Sequence, residues 1–349
     1  MTPLGRVVTF EAPKVVSVRA YEDPPLEPTE IRLKTLYSGI SAGTEMTAYR
    51  GSNPYLAKRW EPGRRLFVEG ETSLEYPVEG WGYEEVGEVA EVGDGVTKVE
   101  TGDVVYGTWG HRSTKVVGED WAAARRLPRG VDPVMGVFSR IGAIALNAVL
   151  DADVHVGEHV AVFGQGVPGL IAAQLARLNG GNVIAINGIP KRLELAREFG
   201  AAHVIDFNEK NPAEEIKRLS EGRGADVSIE ISGSYPALHE AIRSTAYNSK
   251  VVSAGFFQGD GRGLFLGEEF HHNRIRVVCS QISGLNPSLD HRWTLERLER
   301  TVMSLAAEGR VSLQPLVTHV FDADDADEAF RLLDQRPAPG EVVQAVIRF

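Results

Sequence analysis

The chain has 349 residues, with 37 lysines and arginines against 48 aspartates and glutamates, giving a net charge of −11. That acidity excludes a surface built for nonspecific nucleic-acid binding. The length predicts two domains, and 43% hydrophobic residues with charge spread throughout predict a soluble globular protein. No apolar run reads as long enough to span a bilayer, and MTPLGRVVTF lacks a signal-peptide layout, so a cytoplasmic protein without a membrane partner is expected.

Residues 1–138 are β-rich: VVTFEAP, KVVSVRAY, EIRLKTLYS, EVGEVAEVG and GDVVYGTW are short β-branched or alternating runs punctuated by Gly, Pro and Asp. From about Arg140 the texture becomes alternating helix and strand, which predicts βαβ units and a parallel sheet. The centre of that region is residues 159–187, HVAVFGQGVPGLIAAQLARLNGGNVIAIN, read as strand, glycine turn, helix to Asn179 and second strand. Gly164 permits a turn of unusual φ/ψ, Gly166 leaves room for a pyrophosphate, and Gly169 lets the helix press on the strand. With Val167 and Pro168 opening the helix, its N-terminus is suited to phosphate, so this stretch predicts dinucleotide binding. Cys279, the single cysteine, lies in the strand-like run VVCS and is expected to be a small buried apolar residue. After Gly284 follow a helix at Leu295–Ala307, a strand near LVTHVF, a helix at ADDADEAFRLLDQ and a last strand VVQAVIRF. The expected division is a nucleotide domain at 139–284 inserted into a domain formed by 1–138 and 285–349.

This layout, with SGISAGTE at 38–45, GYEEVGEVAEVGDGV at 82–96, GDVVYG at 102–107, GAAHVIDF at 200–207, GADVSIEISG at 224–233 and PLVTHVF at 315–321, resembles the medium-chain dehydrogenase/reductase family over essentially the whole chain. The resemblance implies an α/β fold: a Rossmann doubly wound parallel sheet inserted in a β-rich GroES-like catalytic domain. Within the family, SGISAGTE is most similar to the bacteriochlorophyllide-dehydrogenase-like branch. The run IRVVCSQIS at 275–283 falls where family members pair nucleotide domains, which implies a homodimer.

Zinc members of the family hold a catalytic metal with Cys in GICGTD, His in GHE, and Cys or an acid before the nucleotide domain. Here those positions read Ser41 or Ala42, Tyr83, and about Ser139. Neutral hydroxyls and a methyl are poor zinc ligands, so the catalytic metal is expected to be absent, as is the four-cysteine structural lobe. His271 and His272, adjacent on an expected strand, would point to opposite faces and are not expected to ligate. Tyr83 then becomes the candidate proton or hydrogen-bond donor, or else a ring filling the vacated space. Thr44 matches the start of the family's proton relay, and Arg140 is a candidate to stabilise an oxyanion or lower the pKa of Tyr83, or else a junction ion pair. Glu45 and Glu84 are expected to form structural ion pairs.

Residues 49–80 are longer than the family norm and are candidates to cover the substrate. Residues 49–66 carry Arg50, Lys58, Arg59, Arg64 and Arg65 against Glu61, a local net of +4, while residues 69–91 hold eight glutamates and no basic residue. Lys58 and Arg59 are therefore weak candidates for substrate attraction, a solvated face paired with the neighbouring glutamates being the alternative. His111 and Ser41 are further weak substrate candidates. Asn187 replaces the usual ribose-binding acid and precedes Lys191 and Arg192, which favours NADP(H) over NAD(H). The expected function is zinc-independent hydride transfer between a nicotinamide and a small polar alcohol or ketone, with a sugar or cyclitol as one guess. The alternatives are an NADPH-dependent enone or quinone reductase and a noncatalytic nucleotide-binding protein.

Overall fold

The computed structural model describes residues 4–335 and 342–349. The chain divides into two compact units: Met1–Arg140 with Val317–Ala338 and Gln344–Phe349, and Ile141–Leu316 with Pro339–Val343.

The first unit opens with β1 (Leu4–Ala12), β2 (Val15–Glu22) and β3 (Glu30–Gly39), then α1 (Thr44–Arg50) and the hairpin β4 (Lys58–Glu61) and β5 (Leu66–Glu69). It continues with β6 (Val78–Glu79), β7 (Glu85–Val92), β8 (Val104–Gly107), β9 (Thr114–Gly118) and a short α2 (Glu119–Ala123). β3 pairs antiparallel with β7 and β9, and β7 with β8. Ile31 and Leu33 on β3 meet Val89, Val105 and Trp109 in a buried core. Ser38 near the end of β3 lies opposite Glu85 at the start of β7, and Gly39 N donates to the Glu84 carbonyl, so two chemistry-bearing stretches are fixed side by side.

The second unit takes α3 (Phe138–Ala152) from Ile141 onward, then β10 (His159–Phe163), α4 (Val167–Leu178), β11 (Asn182–Asn187), α5 (Pro190–Glu198) and β12 (His203–Asp206). It closes with α6 (Pro212–Leu219), β13 (Ala225–Glu230), α7 (Tyr235–Ser244), β14 (Thr245–Ser253), β15 (Arg276–Cys279) and α8 (Leu295–Ala307). Its sheet is parallel in the order β12-β11-β10-β13-β14-β15. The runs VAVF and VIAI are apolar without alternation because helices cover both faces of such a sheet. The strand order reverses between β10 and β13, the switch point at which this fold binds its ligand. The chain then returns to the first unit as β16 (Val317–Asp322), α9 (Ala326–Gln335) and β17 (Gln344–Arg348), with β17 seated between β16 and β3.

The fold is the expected Rossmann and GroES-like combination, but three readings need correction. Residues 285–316 belong to the nucleotide unit rather than to the catalytic one. The apolar face of α8 buries Leu298, Val302 and Met303, Val302 lies against Gly142 of α3, and Gln174 of α4 holds Ser312 by two hydrogen bonds. Cys279 is exposed rather than buried, because β15 is the sheet's edge strand and all four of its residues face outward. The helical stretch Pro133–Ala152 is long and apolar enough to cross a bilayer, contrary to the expectation that no run qualifies, but most of it is buried inside the protein.

Candidate active site

The glycine turn has the shape its sequence demands. Gly164 sits at φ +98°, where a side chain would be strained and its Cβ would fall 2.7 Å from Ser232 Cβ. A Cβ on Gly169 would lie 1.7 Å from the Gly164 carbonyl oxygen, so α4 can approach β10 this closely only without one. In front of Gly166 the space is open: a Cβ there would meet nothing nearer than Pro168 Cδ at 3.9 Å. An open cradle backed by a helix N-terminus fits a dinucleotide pyrophosphate. Pro168 supplies no N–H, which leaves Val167 and Gly169 as the donors at that end.

Glu230, at the end of β13, is a residue that sequence reasoning passed over. Its buried carboxylate accepts from the backbone N–H of Ser232 at 2.9 Å and of Gly233 at 3.2 Å, and from the Ser232 hydroxyl. It thereby fixes the loop that faces Gly164. Burial pushes its pKa up and these hydrogen bonds pull it back. The available signal was a lone acid ending the apolar run DVSIEIS.

Of the two residues that the resemblance offers for the family's first zinc-ligand position, Ser41 faces the phenol: Tyr83 Oη donates to Ser41 Oγ at 2.6 Å, while Ala42 is exposed. Thr44 makes no such bond to the phenol among the described residues but lies close enough to favour its ionised form. Ser139 is fully buried and its Oγ has no hydrogen-bond partner. Two serine hydroxyls and a phenol do not match the thiolate, imidazole and carboxylate donors zinc requires.

Behind Tyr83 lies a buried acidic layer formed by Glu45, Glu84 and Glu85. Gly39 makes room for it, since a Cβ there would fall 2.6 Å from Glu84 Oε2. Gln344 Nε2 donates to Glu84 Oε2 at 3.3 Å and to the Ile40 carbonyl at 3.1 Å, tying β17 to the end of β3. Glu85 Oε2 accepts from Trp109 N at 2.6 Å, and its Oε1 accepts from Glu84 N and from Ser38 Oγ, each at 3.1 Å. His111 bridges onward, with Nδ1 2.6 Å from Ser38 Oγ and Nε2 2.9 Å from Glu45 Oε2. Burial, reinforced by the charge of Glu85, raises the Glu45 pKa well above the usual carboxylate range, and burial with both neighbouring acids does the same for Glu84. Glu45 Oε1 has no well-formed hydrogen bond, the backbone N–H groups of Ser41 and Tyr83 merely lying close enough to favour its ionised form. Burial pushes the Tyr83 phenol far above its ordinary value, and whatever negative charge Glu84 and Glu45 carry acts in the same direction. Tyr83 is therefore a protonated donor throughout the physiological range.

This geometry corrects several expectations. The phenol is not made acidic by Arg140: its pKa moves upward, chiefly through burial, and Arg140 is a half-buried residue early in α3. Glu45 and Glu84 are not partners of cations, because Glu45 meets His111 and Glu84 meets Gln344. His111 is a fully buried core residue packed on Phe330, with both ring nitrogens engaged, and so offers nothing to a substrate. Lys58 and Arg59 pair with Glu69 and Glu71, and Arg64 pairs with Glu61, so most of the positive charge on the β4–β5 hairpin is answered locally. At the end of β11, Asn187 Oδ1 accepts from Ile189 N at 2.9 Å, and Arg192 Nη2 donates to the Val342 carbonyl at 3.0 Å, leaving exposed Lys191 as the more available cation for a phosphate. His271 and His272 lie on a helical turn rather than a strand, with rings 5.5 Å apart.

A parallel sheet with a glycine-turn cradle, joined in sequence to a β-rich unit bearing a buried polar site, defines a dehydrogenase-type chain. The Zinc-binding dehydrogenase family matches residues 168–300. D-guloside 3-dehydrogenases of Shigella flexneri and Escherichia coli are each 29% identical over 334 residues, covering 93% of this chain and 95% of theirs. Sorbitol dehydrogenase of Halalkalibacterium halodurans is 27% identical, covering 92% and 93%. A zinc-binding dehydrogenase structure from Sinorhizobium meliloti, solved with NADP, superposes with a TM-score of 0.78 at 22% identity, covering 99% and 100%. The chain belongs to the medium-chain dehydrogenase/reductase superfamily of alcohol-dehydrogenase-like oxidoreductases.

Proposed function

We propose that this oxidoreductase moves hydride between a nicotinamide cofactor and a polyhydroxylated alcohol or its ketone, without a catalytic zinc. The observation that carries this reading is the Tyr83 phenol standing at the histidine-ligand position, hydrogen-bonded to Ser41 and close to Thr44. The nicotinamide, seated by the glycine turn, supplies or accepts the hydride. Everything else falls to the chain. Tyr83 donates to the substrate oxygen and holds the proton that this oxygen takes up on reduction, while Ser41 and Thr44 pass a proton back to the phenol. The substrate class is supported by relatives that are named for guloside and sorbitol oxidation. Chelator-treated enzyme should oxidise members of a polyol and glycoside panel with NADP⁺ or NAD⁺. Turnover that appears only on adding zinc, or only with enones and quinones, would sink the proposal.

NADP(H) is the favoured cofactor because Asn187 carries no charge to repel a 2′-phosphate and Lys191 is exposed nearby. Asn187→Asp should shift the ratio of kcat/KM values roughly 10- to 100-fold toward NAD⁺, the range expected of one charged hydrogen bond. An unchanged ratio measured on one substrate would remove Asn187 from cofactor choice.

A cytoplasmic homodimer remains our proposal for its state in the cell. Edge strand β15 leaves Val277 41% and Val278 38% exposed, an apolar template for a second copy. Light scattering at micromolar concentration should give twice the 38.0 kDa chain mass. Val277→Lys should halve it, and a monomeric wild-type mass would refute the pairing.

A further inference from the structure

In the second unit, His239 on α7 and Glu268 and Glu269 on the wide turn Leu266–Phe270 bring one ligating atom each within 4.8 Å of the other two. The site is built from both sides. His239 Nδ1 and Glu269 Oε2 are shielded from water, yet neither has a hydrogen-bond partner among the described residues. A desolvated ring nitrogen and a desolvated carboxylate oxygen in one such cluster are costly to the fold unless something satisfies them. Arg243 Nε donates to the other oxygen of Glu269, Oε1, at 3.3 Å, which fixes the carboxylate plane and leaves Oε2 unspent. Glu268, exposed, brings a second carboxylate to the same point from a residue that breaks helical geometry at φ −100°, ψ −124°.

We propose that His239, Glu268 and Glu269 form a binding site for a divalent transition cation such as Zn²⁺, distinct from the Tyr83 site and independent of the reaction assigned there. One imidazole and two carboxylates suit Zn²⁺ or Co²⁺ better than Mg²⁺ or Ca²⁺, which prefer oxygen ligands throughout. Tetrahedral bonds of about 2.1 Å place ligand atoms roughly 3.4 Å apart, so closing the site from separations of up to 4.8 Å needs at most about 1.4 Å of movement, which the exposed Glu268 side chain can provide. Arg243 is the outer partner that orients Glu269, and water completes the coordination. The ion would pin the turn after β14 to α7, a structural role.

The test uses the full chain, stripped with chelator and dialysed against Co²⁺ or Zn²⁺, with bound metal counted and the Co²⁺ absorption band recorded. Wild type should take up one ion per chain at the site. His239→Ala and Glu268→Gln should each weaken binding at least about tenfold while circular dichroism stays unchanged. Glu268 is exposed, so its variant does not put folding at risk. Glu84→Gln, which alters the other acidic cluster, should retain the ion. Absence of stoichiometric binding, or binding retained by both His239→Ala and Glu268→Gln, would overturn the site.

Discussion

Tyr83→Phe should lower kcat for carbonyl reduction roughly 10²- to 10³-fold, while cofactor affinity stays within about twofold. The magnitude is that of removing one preorganised donor from a developing oxyanion, about 3–4 kcal/mol. The direction follows from the site's electrostatics. Burial keeps the phenol protonated at rest, so in reduction it acts as acid and donor, and in oxidation it relays the substrate proton onward instead of waiting as a resting tyrosinate. Phenylalanine keeps the ring and its packing, which separates loss of the hydroxyl from collapse of the pocket. Ser41→Ala should cost less, because the phenol itself remains to donate to the substrate oxygen. The pH profile of kcat in wild type should show no tyrosine ionisation below about pH 10. If Tyr83→Phe leaves kcat within threefold, the phenol only fills space and the proposed chemistry fails. If kcat falls but nicotinamide binding falls with it, the defect is structural rather than catalytic.

The parts of this protein legible in its sequence are those whose physics is local. Gly164, Gly166 and Gly169 announce themselves because a turn at φ +98°, an open cradle and a 1.7 Å approach each require the absence of a side chain. Ser41 and Tyr83 could be placed because short motifs flanking the paired ends of β3 and β7 keep their spacing, and the structure selects Ser41 over Ala42 as the phenol's partner. What could not be read depends on distant pairing. His111 and Ser38 are 73 residues apart and meet only because the chain after β8 comes back alongside β3. The charges of Lys58 and Arg59 suggested an attractive face, yet the register of β4 with β5 sets Lys58 opposite Glu69, with which it pairs. Cys279 looked buried from its apolar neighbours, but a strand's composition does not say whether it lies at an edge. The helix at 295–307 was visible from its periodicity, whereas the unit that covers its apolar face was not.

The buried chain Glu45–His111–Ser38–Glu85 carries the last expectation, which rests on counting protons. Its three hydrogen bonds need three hydrogens, whereas a neutral imidazole and one serine hydroxyl supply two. One more proton must reside on Glu45, Glu85 or the imidazole. Glu85 already accepts from Trp109 N and Glu84 N, bonds that favour its ionised form, and burial pushes the His111 pKa down to about 4. Glu45 therefore holds the proton and donates it to His111 Nε2. The consequence for stability has a sign. A carboxyl whose folded pKa is raised stabilises fully below its unfolded value of 4.5, and this contribution is lost as pH rises through the folded pKa. His111 acts oppositely: kept neutral in the fold, it weakens the protein as pH falls from 6.5 toward about 4. Above pH 6.5 the histidine contribution is constant, so unfolding free energy should decline with rising pH, driven by the buried glutamates. Glu45→Gln, which can still donate to Nε2, should flatten that decline at little cost near pH 6.5. Glu45→Ala, which strands a buried ring nitrogen beside a cavity, should cost about 2–5 kcal/mol. Urea unfolding of the three proteins from pH 5 to 9 reads both effects. A wild-type stability that rises above pH 6.5, or a Glu45→Gln variant with an unaltered slope, would show that Glu45 is ionised in the fold and that the extra proton lies elsewhere in the chain.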